Sequence, residues 1–259
     1  MILAHYKNKK LPRHCFKLTN DFTINLNKKY WFIEVENYYW QRFANVRFKN
    51  TSFRDWLNYI IEPSKPYINI KVAKQPIPKT TTIKSKIRVG GYYELDKRKC
   101  KPLHIRFWHW GWPEYSEAGR KEWVMHEYIK TLVHELNHAK QHHSRNNIAF
   151  YWDGGYYEDP NEIDSYALNT AQALVARFGT TEAKKKIGGM KTKDTFCSEL
   201  INYSKLENTQ VKHKFMKKTL KYIEVYESYE REWGEDYLFC FRIRKGQSTS
   251  RQKIKELAY

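Results

Sequence analysis

Residues 131–141 read TLVHELNHAKQ and contain the most informative pattern in the chain, His134-Glu135-Leu136-Asn137-His138. On an α-helix, positions four apart lie one above the other, so histidines at this spacing can present both imidazoles to one cation. Glu135 is offset by one position, where a carboxylate can reach a metal-bound water without binding the metal itself. Because so short a pattern also occurs by chance on ordinary solvated helix faces, its sequence context has to decide between the two.

The residues around this pattern predict one long helix that begins near Arg120. Apolar residues recur at helical spacing and form a stripe of Met125, Ile129, Leu132, Val133, Leu136 and Ala139. The stripe lies roughly opposite the two histidines, so we expect the back of the helix to pack on a sheet while its front faces a cleft. His142 lies about 12 Å along the axis from His134, too far to share a tetrahedral ion, and we expect His142 and His143 to be solvated.

A third ligand is expected from the segment EDPNEIDSYA at residues 158–167. A catalytic zinc site has three protein ligands and an open position for water. Glu162 stands in the first turn of a second predicted helix, and a hairpin of the two helices would bring its carboxylate back over the histidines. Asp164 and Asp159 are the alternative ligands. The second helix is expected to have these boundary and capping residues: Asn161 or Asp159, Pro160 and Gly179.

Together, His134-Glu135-x-x-His138 and the later Asn161-Glu162-x-x-Ser165 resemble the gluzincin zinc metallopeptidases, whose HExxH helix is completed by a Glu on a later helix. VHELNHAKQ and DPNEIDSYA are also similar to small peptidase-like proteins encoded by bacteriophages. The resemblance covers about residues 80–180 and implies an α+β, zincin-like fold, with a twisted mixed β-sheet packed on the motif helix. It also implies Zn2+ as the cofactor, bound by His134, His138 and Glu162, with Glu135 as the catalytic base.

One position departs from this resemblance. Many such enzymes have Asp four residues after the ligand Glu, where it orients a histidine ligand, whereas this chain has Tyr166. Asp164 or Asp159 is the candidate for that role instead. Tyr156, Tyr157 and Tyr166 are candidates for a hydrogen bond to a developing oxyanion, although tyrosines of this kind are more often packing residues.

We predict three parts in the chain: a β-rich N-terminal elaboration over residues 1–79, a zincin-like catalytic core over 80–180 and a helical C-terminal portion over 181–259. Residues 22–40 and 67–96 are rich in β-branched and aromatic side chains and are followed or interrupted by prolines. These features are typical of strands and loops, so both segments are predicted to form strands.

Three smaller features complete the predicted fold. HIRFWHW at residues 104–110 predicts a strand with Ile105 and Phe107 on one face. The Gly90-Gly91 pair is expected to mark a turn. In the C-terminal portion, a helix is expected to place an apolar stripe opposite a basic face, the two sets being Met216, Leu220 and Ile223, and Lys214, Lys217, Lys218 and Lys221.

The 259 residues carry a formal net charge of +19, and that charge is unevenly distributed. It is +14 over residues 1–119, −2 over 120–178 and +7 over 179–259, so only the segment with the motif is acidic. Basic flanks attract nucleic acid, anionic membrane surfaces or acidic proteins. Lysines without a compact run of like charge are also often simply solvated.

Cysteine spacing and hydropathy limit where the protein is expected to act. No stretch approaches the roughly 18 apolar residues of a membrane span, and the four cysteines show no C-x-x-C spacing. We therefore expect a cytoplasmic protein with reduced cysteines and no membrane partner. If the protein is viral, its location would be the host cytoplasm or the virion.

The sequence thus predicts a zinc-dependent metallopeptidase that hydrolyses peptide bonds of a protein or peptide substrate through a metal-activated water. Two alternatives remain. A DNA-associated protease would use the basic flanks as a tether, which makes nucleic acid a second expected partner. A phage or viral structural protein would carry the same residues as a vestigial metal site. A plain nucleic-acid-binding module is disfavoured because no recognisable binding motif accompanies the charge.

Overall fold

The computed structural model describes residues 14–46, 52–74, 87–94, 101–109, 118–145, 154–188, 203 and 208–234. Over these residues the protein is a mixture of α and β structure in which helices dominate and the sheets are small. The strands are β1 (Cys15–Lys17), β2 (Thr23–Asn25), β3 (Asn69–Lys74), β4 (Ile87–Tyr93) and β5 (Leu103–His109). The helices are α1 (Trp31–Val46), α2 (Phe53–Ile61), α3 (Ala118–Ser144), α4 (Pro160–Phe178), α5 (Thr180–Gly188) and α6 (Thr209–Trp233).

The chain divides into two compact units, with the boundary between Asp153 and Gly154. The first unit contains β1 to β5 and α1 to α3, and the second contains α4 to α6. The division into three parts over residues 1–79, 80–180 and 181–259 stays a prediction. None of the described helices is both long enough and apolar enough to cross a membrane.

The strand prediction for residues 22–40 is wrong over most of its length. Only β2 is extended there, and helix α1 begins at Trp31. Aromatic and β-branched residues favour strands on average, but here they recur at helical spacing and form one buried face, so burial outweighs propensity. The buried apolar residues of α1 are Trp31, Phe32, Ile33, Val35, Tyr39, Trp40, Phe43 and Val46.

The N-terminal part contains a second helix, α2, so it is less rich in β structure than we expect from the sequence. Helix α2 begins after Ser52, whose side-chain oxygen accepts a hydrogen bond from the backbone N–H of Asp55 at 3.1 Å. This bond satisfies one of the backbone donors that a helix leaves open at its first turn. Trp56, Leu57, Ile60 and Ile61 lie buried along α2.

A three-stranded mixed sheet has the strand order β3-β5-β4, with β3 parallel and β4 antiparallel to β5. The strand prediction for HIRFWHW is therefore confirmed over its described residues, and Trp110 lies outside them. Ile105 and Phe107 are buried together on one face, as their alternation predicts. The prediction for residues 67–96 is confirmed at β3 and β4, while its residues 75–86 and 95–96 lie outside the described part.

Gly90 and Gly91 lie inside strand β4, so the expected turn at this pair is wrong. A Cβ atom on Gly90 would lie 2.9 Å from the Trp108 ring, on one face of the sheet. A Cβ atom on Gly91 would lie 2.8 Å from Cγ2 of Thr131, on the other face. The pair therefore lets an indole approach one side of the strand and helix α3 approach the other, which a larger residue would prevent.

Helix α3 packs on β4 and β5 through the stripe that its periodicity predicts. Met125, Ile129, Leu132, Val133, Leu136 and Ala139 are all buried. The Phe107 ring of β5 lies 5.6 Å from the Tyr128 ring of α3, measured between centroids. The predicted packing of the motif helix on a sheet is thus confirmed.

In the second unit, helix α4 has the boundaries that the sequence indicates. Asp159 caps its first turn by accepting a hydrogen bond from the Asn161 N–H at 2.7 Å, and Gly179 ends the helix with a φ of 78°. A positive φ of this kind suits glycine, which has no Cβ to clash. Of the two predicted capping residues, the structure uses Asp159.

Helix α6 packs on α4 and α5, but its buried stripe is rotated from the predicted one. Ile223 is buried as expected, whereas Met216 and Leu220 are only partly buried. The fully buried apolar positions include Phe215 and Tyr226 instead. The bulky aromatic residues take the centre of the helix contact, because they bury more apolar area than Met or Leu.

Candidate metal centre

His134 and His138 lie one helical turn apart on α3, in the first unit. Their ring centroids are 4.7 Å apart and the ring planes meet at 77°. His134 is buried and His138 is half-buried. Two imidazoles at this separation can donate one lone pair each to the same ion, as the spacing predicts.

Gln141 holds the ring of His138 in one orientation. Nδ1 of His138 lies 3.1 Å from Oε1 of Gln141. An amide oxygen only accepts hydrogen bonds, so this contact places the proton on Nδ1 and leaves the lone pair on Nε2. A histidine fixed in this tautomer is prepared to bind a metal ion through Nε2.

Glu135 is buried where strand β4 crosses helix α3. Its side chain is 5% exposed, and a Cβ atom on Gly91 would lie 3.0 Å from its Cγ. The neighbouring Thr131, one turn earlier on the helix, is covered by the same strand. The close backbone of β4 therefore restricts the rotamers that the Glu135 carboxylate can adopt.

His142 and His143 are less solvated than we expect from the sequence. Both are half-buried, and both contact aromatic rings of the first unit. The ring of His142 lies 6.1 Å from that of Tyr93, and the ring of His143 lies 5.7 Å from that of Phe16. Packing against the strands explains their burial, and nothing in this arrangement gives either histidine a ligand role.

Glu162 lies in the second unit, in the first turn of α4, with a group of tyrosines around it. The hydroxyl of Tyr156 lies 3.1 Å from the hydroxyl of Tyr166, and the carboxylate of Glu162 is near enough to act on its pKa. Partial burial, the Tyr166 hydroxyl and the Glu162 charge together raise the pKa of Tyr156 well above its ordinary value. Tyr156 therefore stays protonated and is available as a hydrogen-bond donor to the nearby carboxylate.

Tyr203 forms the buried side of this group. Its ring stacks on Phe215 of helix α6, with the centroids 4.0 Å apart and the planes 5° from parallel. Burial, followed by the charge of Glu162, raises the pKa of the Tyr203 hydroxyl. Of the three tyrosines proposed as oxyanion donors, Tyr156 and Tyr166 are joined by their hydroxyls, while the Tyr157 ring packs 5.7 Å from the Tyr203 ring.

The two candidate orienting acids, Asp159 and Asp164, both make contacts within the second unit, and the orienting role predicted for one of them stays a prediction. Asp159 caps α4, as described above. Asp164 accepts hydrogen bonds from Lys218 at 2.5 Å and from Tyr222 at 3.2 Å, both on α6. The ion pair between Lys218 and Asp164 joins α4 to α6.

Three residues that shape the candidate centre, Gln141, Gly91 and Tyr203, were not predicted from the sequence. Gln141 has the i, i+3 spacing from His138 that a helix needs for this bond, and that spacing was a usable signal. Gly91 and Tyr203 gave no such signal, because each lies far in sequence from the site residue that it affects.

No protein-family model matches this chain, and neither a curated protein nor a solved structure matches it.

Proposed function

We propose that the protein is a zinc-dependent metallopeptidase with a zincin-like fold, related in its motifs to the gluzincins. The proposed zinc ligands are His134, His138 and Glu162. The observation that carries the proposal is that each of these residues offers one ligand atom, and that these atoms lie within 4.8 Å of one another. Two imidazole nitrogens and one carboxylate oxygen are also the ligand set of many catalytic zinc sites.

The proposed ligand set fits zinc in the chemistry of its donor atoms and in the distances between them. Ligand atoms bound to one tetrahedral zinc at about 2.0–2.1 Å are about 3.4 Å apart, so small side-chain rotations are sufficient to bring the three atoms onto one ion. Three protein ligands leave the fourth position for water, which separates a catalytic zinc site from a closed structural one. When bound, zinc would lower the pKa of that water toward 7 and polarise the scissile carbonyl.

Glu135 is the proposed catalytic base. It follows the ligand His134 directly, so it is offset around the helix from both histidines and is available to accept a proton from the attacking water. The same proton is then transferred to the departing amine, which completes hydrolysis of the peptide bond. The narrow space below Gly91 supports this role, because it holds the Glu135 side chain in few orientations.

The proposed substrate is a protein or peptide, and the proposed setting is the cytoplasm. Cys15 is a free thiol, which is compatible with a reducing compartment. A protease that is tethered to nucleic acid is the second candidate, and the charge of +14 over residues 1–119 is the observation that favours it.

Metal content and activity test the proposal separately. Purified wild-type protein is expected to contain one zinc per chain, and His138→Ala and Glu162→Ala are each expected to lose it. Wild type is expected to cleave unstructured protein substrates, and Glu135→Gln is expected to bind zinc normally but to lose at least about 100-fold in rate, as expected for a general base. His126→Ala is the matched control, since it removes another histidine of α3 that is not a proposed ligand.

The outcomes distinguish the candidate functions. Full zinc content in both ligand variants would overturn the metal site. If the wild type binds zinc but cleaves no substrate, Glu135→Gln will not differ from it in activity. That result would favour a structural protein with a vestigial metal site.

A further inference from the structure

One face of the three-stranded sheet is turned away from helix α3, and we call it the outer sheet face. Alternation along the strands places six side chains with nucleic-acid-binding chemistry on it: Lys71, Arg88, Tyr92, His104, Arg106 and Trp108. The strand register pairs Lys71 with Arg106, Arg88 with Trp108, and Tyr92 with His104. The three cations and the three aromatic rings therefore form one continuous patch.

The cations of this face are not neutralised by the rest of the described chain. Lys71 and Arg88 are exposed and Arg106 is half-buried. Within residues 14–234, and apart from the stretches that the structure leaves undescribed, these three side chains form no ion pair. The remaining outward positions of the strands are Asn69, Ala73 and Gly90. The carboxylate of Glu94, which directly follows β4, also lies at this face, but its described ion pair is with His104 at 2.8 Å and not with any of the three cations.

Tyr92 is a flat and immobilised aromatic surface. It stacks on His104 with the ring centroids 4.3 Å apart and the planes 7° from parallel, yet it is 48% exposed. His104 is itself held from both sides: Asn69 Nδ2 lies 2.9 Å from its Nδ1, and Glu94 Oε2 lies 2.8 Å from its Nε2. A ring fixed in this way loses little entropy when another flat ring stacks on its open side.

Trp108 forms a second aromatic position further along the same face. The guanidinium carbons of Arg88 and Arg106 lie 5.9 Å and 5.7 Å from its ring centroid. Gly90 makes this arrangement possible, because a Cβ at that position would lie 2.9 Å from the indole. His104 and Trp108 are four residues apart on one strand, which corresponds to about 13 Å.

We propose that the outer sheet face binds single-stranded nucleic acid. Unpaired bases stack on Tyr92 and at Trp108, while the backbone phosphates contact Arg88, Arg106 and Lys71. Stacking accepts any base, and unpaired cations attract any phosphate, so the proposed binding has little sequence preference. An acidic peptide would satisfy the cations, but it has no flat rings to use the open side of Tyr92. A duplex keeps its bases stacked within the helix and so cannot use either aromatic position.

The experiment measures binding of a fluorescently labelled dT12 oligonucleotide by anisotropy, at salt concentrations from 50 to 200 mM. A U12 strand, a 12-base-pair duplex and poly-glutamate are the competing probes. Tyr92→Ala and Trp108→Ala are each expected to weaken binding about tenfold, and Tyr92→Phe is expected to retain it, because the ring stays. Arg88→Ala is expected to weaken binding and to reduce the slope of log affinity against log salt by about one.

Matched controls come from exposed residues outside the outer sheet face. Trp233 is 50% exposed and Lys217 is also exposed, so Trp233→Ala and Lys217→Ala remove an aromatic ring and a charge of similar accessibility. Both are expected to bind dT12 like the wild type. Circular dichroism and zinc content of every variant show whether the fold and the candidate metal centre are retained.

Two results would overturn the proposal. The first is Tyr92→Ala that binds dT12 as tightly as Tyr92→Phe, because stacking would then contribute nothing. The second is a duplex or poly-glutamate probe that competes as well as dT12, which would make the face a general polyanion or acidic-protein surface. Neither result depends on peptidase activity, so this proposal and the proposed function can fail independently.

Discussion

Gly91 and Glu135 are in such close contact that a Cβ atom at position 91 would lie 3.0 Å from the Cγ of the glutamate. The same atom would lie 2.8 Å from the backbone oxygen of His104. A side chain can rotate away from such a contact, but the backbone of a central strand can move only if the sheet moves. The glycine therefore controls how closely strand β4 approaches the motif helix.

Gly91→Ala is expected to destabilise the protein by about 1–3 kcal/mol, the usual effect of overpacking, and to reduce peptidase activity by displacing Glu135. Urea unfolding measures the first effect and cleavage kinetics the second. Gly155→Ala is the control, because its Cβ would meet nothing closer than 3.7 Å and its φ of −63° suits alanine. Equal stability of the two variants would show that β4 can move away from α3 without cost.

Gln141→Ala is expected to weaken zinc binding about 10- to 100-fold, which is the usual effect of removing a residue that orients a histidine ligand. The cause is the lost hydrogen bond to Nδ1 of His138, after which the ring can rotate or carry its proton on Nε2. Competition with a chelator of known affinity measures this change. Gln141→Glu keeps an acceptor oxygen at that position and should keep the affinity.

His142→Ala is the control for Gln141→Ala, since it changes the next residue of the same helix without removing a proposed ligand. Wild-type affinity is expected for this variant. A loss of zinc in His142→Ala as large as that in Gln141→Ala would indicate a general effect on the end of α3.

Tyr156→Phe is expected to weaken zinc binding by up to about tenfold, because the Tyr156 hydroxyl lies near the carboxylate of the proposed ligand Glu162 and is available to donate a hydrogen bond to it. The aromatic ring is retained, so the thermal unfolding temperature should change little. Tyr59→Phe serves as the control, since Tyr59 is 45% exposed and lies in the first unit. An unchanged zinc affinity in Tyr156→Phe would remove this tyrosine from the candidate centre.

Helix α3 was predictable from the sequence and helix α1 was not, although both are long and both are buried on one side. In α3 the apolar residues alternate with charged and polar ones, so the period of 3.6 is visible from Met125 to Ala139. In α1 aromatic and β-branched residues occur on nearly every side, and their average preference for strands hides the period. Only tertiary packing shows which of these residues form the buried face.

The contacts in the candidate centre are likewise of two kinds: some lie within one helix, and others join residues far apart in sequence. The pairs His134 with His138 and His138 with Gln141 are fixed by the geometry of a single helix, so their spacing can be read directly from the sequence. The contact between Gly91 and Glu135 depends on the register of a strand against a helix, which no local pattern encodes. This is why the sequence indicated the proposed ligands His134 and His138 and the proposed base Glu135, but not the contact of Gly91 with Glu135.

The ion pair between Lys184 and Glu227 is expected to make the stability of the second unit depend on pH and salt. The Lys184 ammonium donates a hydrogen bond to the Glu227 carboxylate at 2.7 Å and lowers the pKa of that carboxyl group. A lowered folded-state pKa means that the pair contributes stability above the unfolded pKa of about 4.3, and that the contribution is lost as the pH falls through the folded value. Both side chains are about one-third exposed, so the contribution is expected to be below about 1 kcal/mol.

The free energy of unfolding of Lys184→Met, compared with wild type in urea, tests this expectation. The difference should be present at pH 7, disappear near pH 3 and shrink in 1 M salt, because mobile ions screen partly exposed charges. Lys185→Met is the matched control: Lys185 pairs with Glu182 at 3.7 Å, and its side chain is 71% exposed. Its effect at pH 7 should therefore be smaller than that of Lys184→Met. A Lys184→Met difference that is the same at pH 3 and pH 7 would assign the effect to packing of the lysine stem between α5 and α6, not to its charge.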